Sequence, residues 1–430
     1  MPVPARVHLI AAARPNFMKV APLYHALKAT DDFHPVIVHT GQHYDAAMSD
    51  DIFTDLGLPA PDHHLGIGSG SHAEQTGRVM IAYEKLAMAE RPDWLIVVGD
   101  VNSTAAASMA AGKLRIPIVH LEAGLRSRDR DMPEELNRLV TDVLADVLWT
   151  PSPDADENLA NESIPAERVT RVGNIMMDSY ELVRPAIEAA DYPGELGYEK
   201  GGYGVVTLHR PSNVDDPAQL AKLVDALIAV QGHLPLIFPV HPRTRQRLGE
   251  EGVAKLEGAG LKLVGPAAYI RFMSLVSGAA AAITDSGGIQ EETTYLGIPC
   301  LTLRENTERP ITISEGTAQL VRAENLLERL LEALAQPKQD RKRPEFWDGK
   351  TAGRCVEDLR RRTALLPQPR FRHSRDGGKP SNLPARTNTG GIPAFAGMTW
   401  REVKLNFAAD PRLRPRYGDP NRQIISGSAR

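Results

Sequence analysis

The chain has 430 residues, more than one ordinary domain holds, and its 42% hydrophobic and 24% charged residues are those of a globular enzyme. A net charge of −4 leaves no bulk basic field for nucleic acid or an anionic membrane, and two cysteines, Cys300 and Cys355, cannot build a disulfide framework. No apolar run approaches the roughly 20 residues that span a bilayer; with no signal-like core in "MPVPARVHLIAAARPNFMK", a protein of the reducing cytoplasm is expected.

Short apolar runs alternate with longer stretches of helical period. "RVHLIAA" (6–12), "HPVIVHTG" (34–41), "DWLIVVGD" (93–100), "IPIVHLEAG" (116–124) and "DVLWTPS" (146–152) read as buried strands. After Gly173 the pattern restarts with "YGVVTLHR" (203–210), "LPLIFPVHP" (234–242), "LKLVGP" (261–266), "AAAITDSGG" (280–288) and "PCLTLR" (299–304). Alternation of this kind predicts an α/β protein of two doubly wound, Rossmann-like domains facing a central cleft. The expected division is 1–175, 176–345, a helix over 346–363 packing back on the first domain, and a tail, 364–430. The Gly-, Pro- and charge-rich stretch around 181–203 reads as a surface connection.

In open parallel sheets ligands sit at the carboxyl ends of the strands, so chemistry is expected just after each apolar run. Arg14 and Lys19 flank a helix start opened by Pro15, where an anion would relieve the repulsion of two cations at a dipole's positive end. Two solvated cations are the plain alternative. Asp100 closes the third run, Glu122 the fourth, and Glu134 and Glu135 open a helix in "MPEELNR". Acids suit a first helical turn anyway, but a carboxylate at the mouth of each successive strand is costly unless paired or used. In the second set His209 and Arg210 close one strand and His241 the next, which suits an anionic leaving group with histidine as proton donor.

"TDSGGIQEE" then sets Ser286, Gly287 and Gly288 between a strand and a helix, as in backbone cradles for phosphate. Glu292 lies one turn on, where a carboxylate meets a ribose diol, and Arg309 follows the next strand as a forked donor for a diphosphate. A Gly-rich turn with a solvated acidic helix start is the bland alternative. His63 and His64 lie in a loop without carboxylate or thiol partners, so no metal is expected. "AAARPN" stands where a nicotinamide cofactor would require a G-x-G-x-x-G turn, so no such cofactor is expected.

Together "RPNFMKVAPL", "TGQHYD", "VVGDVNST", "HLEAGLRS", "MPEELNR", "VGNIMMD", "TLHRPSNVDD", "FPVHP", "TDSGGIQEE" and "LRENTERP" resemble the motif series of the non-hydrolysing UDP-N-acetylglucosamine 2-epimerases, in order from about residue 6 to about 330. The resemblance implies a glycosyltransferase-B-like fold, interconversion of UDP-N-acetylglucosamine and UDP-N-acetylmannosamine for surface polysaccharides, and a homodimer. It implies nucleotide contacts at Arg14, Phe272, Ser286, Glu292 and Arg309, and catalytic groups at Lys19, Asp100, Glu122, Glu134 and His209. Ser212 stands where many members have glutamate, and Ala267 where some have glutamine. Asp45 and Glu74 occupy places that hold an amide and an arginine in members activated by their own substrate, so activation in that form is not expected. A glycosyltransferase, an epimerase of a related UDP-2-acetamido sugar, a hydrolysing epimerase and a silent nucleotide-sugar sensor are the rival readings.

From about 364 the chain is rich in Pro, Gly, Arg and Asn with little periodicity, a composition expected to stay mostly disordered. "RHSRDGG…GIPAFAGMT" resembles a translated bacterial intergenic repeat; a basic interaction arm is the alternative.

Overall fold

Val7, Leu9, Ile37, Ile96 and Val119 lie fully buried in extended runs, which is what strands covered on both faces require. A computed structural model describes residues 3–12, 14–41, 53–336 and 343–365; of Arg14 and Pro15 the side chains lie outside the description, as does the segment with Asp45 and the chain from 366 on. β1 (Ala5–Ala11), β2 (Phe33–His39), β3 (His63–His64), β4 (Trp94–Val98), β5 (Ile118–Leu121), β6 (Val147–Thr150) and β7 (Val169–Arg171) form one parallel sheet ordered β3-β2-β1-β4-β5-β6-β7. Its register sets Val7 against Trp94 and Leu9 against Ile96. β8 (Gly204–Thr207), β9 (Leu236–Pro239), β10 (Lys262–Val264), β11 (Ala281–Thr284), β12 (Cys300–Leu303) and β13 (Ala318–Val321) form a second, ordered β10-β9-β8-β11-β12-β13. Here Ala281 pairs with Gly204 and Thr284 with Thr207.

Strand order reverses between β1 and β4 in one sheet and between β8 and β11 in the other. These are the switch points at which open α/β sheets leave a crevice for ligands. The helix Arg14–Lys28 leaves β1 there, and the helix Gly287–Leu296 leaves β11.

Four expectations need correction. His63 and His64 are not loop residues: they pair with Val38 and His39 as the edge strand β3. β7 and β13 are further edge strands that the apolar runs did not reveal, because several of their residues are only half-buried and carry little hydrophobic signal. The supposed connection around 181–203 contains the end of the helix Ile175–Ala189, which keeps Pro185 inside it while Tyr180, Val183 and Ile187 bury one face. The last helix starts at Thr351 rather than 346, since Phe346 and Gly349 have φ of 62° and 73°. Asp178 accepts the Thr351 and Ala352 amides at 3.0 and 2.8 Å, an anion at a helix start. That helix, Thr351–Thr363, packs on Arg14–Lys28 and Ile175–Ala189, and Trp149 Nε1 donates to Asp358 at 2.8 Å.

Candidate active site

At the end of β11, Ser286 is the N-cap residue of Gly287–Leu296, and its hydroxyl makes no capping bond. A Cβ on Gly287 would stand 2.6 Å from Arg309 Nη1 and 2.9 Å from Glu308 Oε1, so only glycine lets that guanidinium lie across the turn. Arg309 pairs with Glu291 at 2.7 Å and Glu308 at 2.6 Å. Glu308 also pairs with Arg304 at 2.8 Å and reaches Arg210 at 3.7 Å. Burial alone would raise the Glu308 carboxyl, yet Arg309, Arg304 and Arg210 hold it down at about 2. Three guanidinium groups and a helix N-terminus thus converge on one turn, an arrangement that takes an oxyanion.

Glu292, one turn along, is only 4% exposed and accepts the Tyr269 hydroxyl at 2.9 Å. Burial pushes its carboxyl up to about 8, and the neighbouring Glu291 adds to the rise. The group expected to be a carboxylate therefore carries its proton at neutral pH and can donate as well as accept. Phe272 lies in the same helix as Tyr269 and packs, partly buried, on the core.

Asp285 was legible only as the end of an apolar run; in the structure it is fully buried and gathers the second sheet's strand ends. It accepts the amides of His209 and Arg210, at 3.0 and 2.9 Å, and Asn213 Nδ2 at 3.1 Å. His209 Nδ1 lies 2.9 Å from its Oδ1, and Arg210 Nε donates to its carbonyl at 2.9 Å. His241 caps the helix Pro242–Gly258 by accepting the Arg243 amide at 3.2 Å, and its ring centre is 6.3 Å from that of His209. Burial, His209 and Arg243 lower its pKa.

In the first half, Glu122 follows β5 at φ 70°, a left-handed conformation rare outside glycine, and is 5% exposed. Its Oε2 pairs with Lys19 Nζ, while Oε1 is buried without a hydrogen-bond partner among the described residues. Gly99 sits beside the pair at φ 67°; a Cβ there would make only ordinary contact, 3.5 Å from Glu122 Oε2 and 3.6 Å from Lys19 Nζ, so the left-handed backbone rather than space favours glycine. Asp100 is held by Arg138 at 2.8 Å, and Arg138 is paired in turn with Glu135. Glu135, not its neighbour, accepts the Ser127 and Arg128 amides, both at 2.9 Å. Glu134 is half-buried and has no hydrogen bond or ion pair among the described residues.

Behind Glu122 lies a network that sequence patterns did not reveal. His120 joins Asp142 at 2.6 Å and the Gly99 carbonyl at 2.9 Å; Asp142 holds Arg126 at 2.7 Å and the Gly124 amide at 3.1 Å. Burial opposes ionisation of Asp142, but His120 and Arg126 win and its pKa falls. The only hint in the chain was a histidine two places before Glu122.

The two sets of strand ends sense each other. Burial raises the Glu291 carboxyl; Arg309 opposes this, Glu122 adds to it and Lys19 opposes it again. Arg309, likewise, is stabilised as a cation by Glu122 of the other half. Lys19, Glu122, Glu291 and Arg309 therefore share one electrostatic neighbourhood. Among the described residues no group of three or more His, Cys, Asp or Glu is disposed to hold a metal, and no helix is long and apolar enough to cross a membrane.

Known proteins are similar to this chain in sequence and fold. A protein named UDP-N-acetylglucosamine 2-epimerase from Methanocaldococcus jannaschii is 38% identical over 82% of this chain and 98% of its own. The UDP-2,3-diacetamido-2,3-dideoxy-D-glucuronate 2-epimerase of Pseudomonas aeruginosa is 39% identical over 74% of this chain and 88% of its own. The crystal structure of the M. jannaschii UDP-GlcNAc 2-epimerase in complex with UDP-GlcNAc and UDP superposes with a TM-score of 0.75 at 37% identity, covering 83% of this chain and 99% of that one. The sequence model described as UDP-N-acetylglucosamine 2-epimerase matches residues 25–360, and with that match over most of its length the chain belongs to the UDP-N-acetylglucosamine 2-epimerase family.

Proposed function

We propose that this chain interconverts UDP-N-acetylglucosamine and UDP-N-acetylmannosamine by eliminating UDP to a glycal and adding it back. The observation that carries the reading is the arginine-lined turn at Ser286–Gly288, with Arg309 and Glu308 lying across Gly287 at the end of one sheet, together with the buried Lys19–Glu122 pair at the strand ends of the other. The bond from carbon 1 to the diphosphate oxygen breaks, and the leaving charge falls on Arg309, Arg210, Ser286 and the amides of Gly287 and Gly288. Glu292 and Phe272 hold the nucleoside side, and His241 stands at the rim. As charge develops at carbon 1, a carboxylate takes the carbon 2 proton, and a second delivers one to the opposite face. Asp100, Glu122 and Glu134 share that work, with His209 supplying a proton to the departing diphosphate. The partnerless Oε1 of Glu122 suits a proton acceptor. No redox cofactor enters the scheme.

The active form is a homodimer in the cytoplasm. The helix Pro133–Leu144 exposes Leu136, Val140, Val143 and Leu144 along one stripe, with Val143 64% exposed, a face suited to a second copy. The P. aeruginosa relative supports a second reading, a UDP-diacetamido uronate as substrate.

Incubation with UDP-N-acetylglucosamine in deuterium oxide, without acceptor, tests the reading. Solvent deuterium at carbon 2 of an intact UDP-linked epimer is the expected result. Turnover of only the diacetamido uronate favours the second reading, and release of free sugar, or no exchange with either, overturns both.

A further inference from the structure

We propose that Asp285 is a positioning residue for proton transfer: it locks the His209 ring with its proton on Nδ1, so that Nε2 alone serves the departing and returning diphosphate. The inference rests on the reading above. Asp285 is fully buried, whereas the His209 side chain beside it is 45% exposed. A buried carboxylate must be filled with donors, and here the donors come from one short segment: two successive amides, at 3.0 and 2.9 Å, the Asn213 side chain at 3.1 Å and the ring itself at 2.9 Å. Both amides belong to His209 and its neighbour, so the carboxylate fixes the ring's backbone as well as its Nδ1. Moving the proton to Nε2 would set the Nδ1 lone pair against the carboxylate, and flipping the ring would set a C–H there; either forfeits that bond.

The same residue fixes where the ring stands. Asp285 directly precedes Ser286, and its carbonyl accepts Arg210 Nε at 2.9 Å. Arg210 reaches on to Glu308, which lies against the Gly287 turn. One residue thus ties the proton donor, a cation and the phosphate cradle into a single unit. The charged and titratable groups facing His209 are Asp285 just after β11, His241 just after β9, and Arg210 beside it. Among the described residues only Asp285 holds a ring nitrogen. The donor is the imidazolium, with Nδ1–H kept on Asp285 and the second proton on Nε2; when the carbon 1 bond to oxygen breaks, the Nε2 proton passes to the diphosphate oxygen and leaves the neutral ring, still protonated on Nδ1, with the lone pair on Nε2. The return step reverses the transfer, so no other reactant is needed.

Ring nitrogen-15 spectra of the whole protein, with His209 assigned by difference against H209N, test the tautomer without any substrate. Neutral His209 protonated on Nδ1 in the wild type, and mixed in D285N, is expected. A wild-type ring protonated on Nε2 overturns the proposal, even if D285N does not fold. Kinetics supply the second arm. D285N is expected to lose on the order of 10²-fold in kcat with KM little changed, and to cost nothing further in the H209N background. Losses that multiply in the double variant indicate a merely structural role and overturn it. If the wild type epimerises neither sugar, the functional reading fails, while the spectrum still decides the Asp285–His209 claim.

Discussion

Single residues here act through what burial does to their charge. Lys19 and Glu122 form a pair whose side chains are 12% and 4% exposed, so removing one strands the other in a poor dielectric. K19M is expected to lose about 3 kcal/mol or more of stability in urea unfolding and at least ~10²-fold in turnover. Glu292 behaves in the opposite sense. Its carboxyl rises from 4.5 to about 8, so the native state keeps a proton that the unfolded chain releases. The stability this lends is fully present below pH 4.5 and is lost as pH rises towards 8. E292Q is therefore expected to hold its urea midpoint between pH 5 and 8 better than the wild type; a parallel decline of the two would count against a neutral Glu292. Lys19, Glu122, Ser286, Glu292 and Arg309 were legible because each follows an apolar run. The roles of Asp285, His120 and Asp142 were not, because a residue's place on or after an apolar run gives no sign of the partner it meets.

At the scale of elements, the helix Gly287–Leu296 shows how a turn makes a site. G287A leaves the flanking strands untouched but drives a methyl group to within 3 Å of Arg309 and Glu308. It is expected to weaken UDP binding about tenfold or more in calorimetry, roughly 1.4 kcal/mol, with little change in melting temperature. The last helix, Thr351–Thr363, is held in part by Trp149, whose indole N–H reaches Asp358. W149F is expected to cost about 1 kcal/mol or more, because it leaves a buried carboxylate short of a donor. Strong central strands were readable from their continuous burial. β3, β7 and β13 were not, since edge strands are short and half wet and pair only because a neighbour offers its free side.

At the scale of the whole molecule, acid stability is set away from the site. Burial, then His63 and Arg6, lowers His8 to about 4; burial, then His64, lowers His39 to about 4. Both remain neutral in the native state while the unfolded chain takes up protons below about 6.5. Stability is full above pH 6.5 and falls as pH drops towards 4, by about 3 kcal/mol for each histidine. Unfolding free energies at pH 7 and 5 check this, and H39N is expected to halve the fall. Truncation after Leu365 is expected to leave turnover and melting temperature unchanged, since the family match ends at residue 360. Alternating apolar runs were enough to determine two parallel sheets with chemistry at their carboxyl ends, because burial on both faces writes itself into consecutive residues. Only the tertiary structure decided which charges meet: Glu122 with Lys19, Asp100 with Arg138, Arg309 with Glu291, and Asp285 with His209. Such pairings join residues far apart in the chain, and electrostatic energy depends on distance through space, which no local pattern encodes.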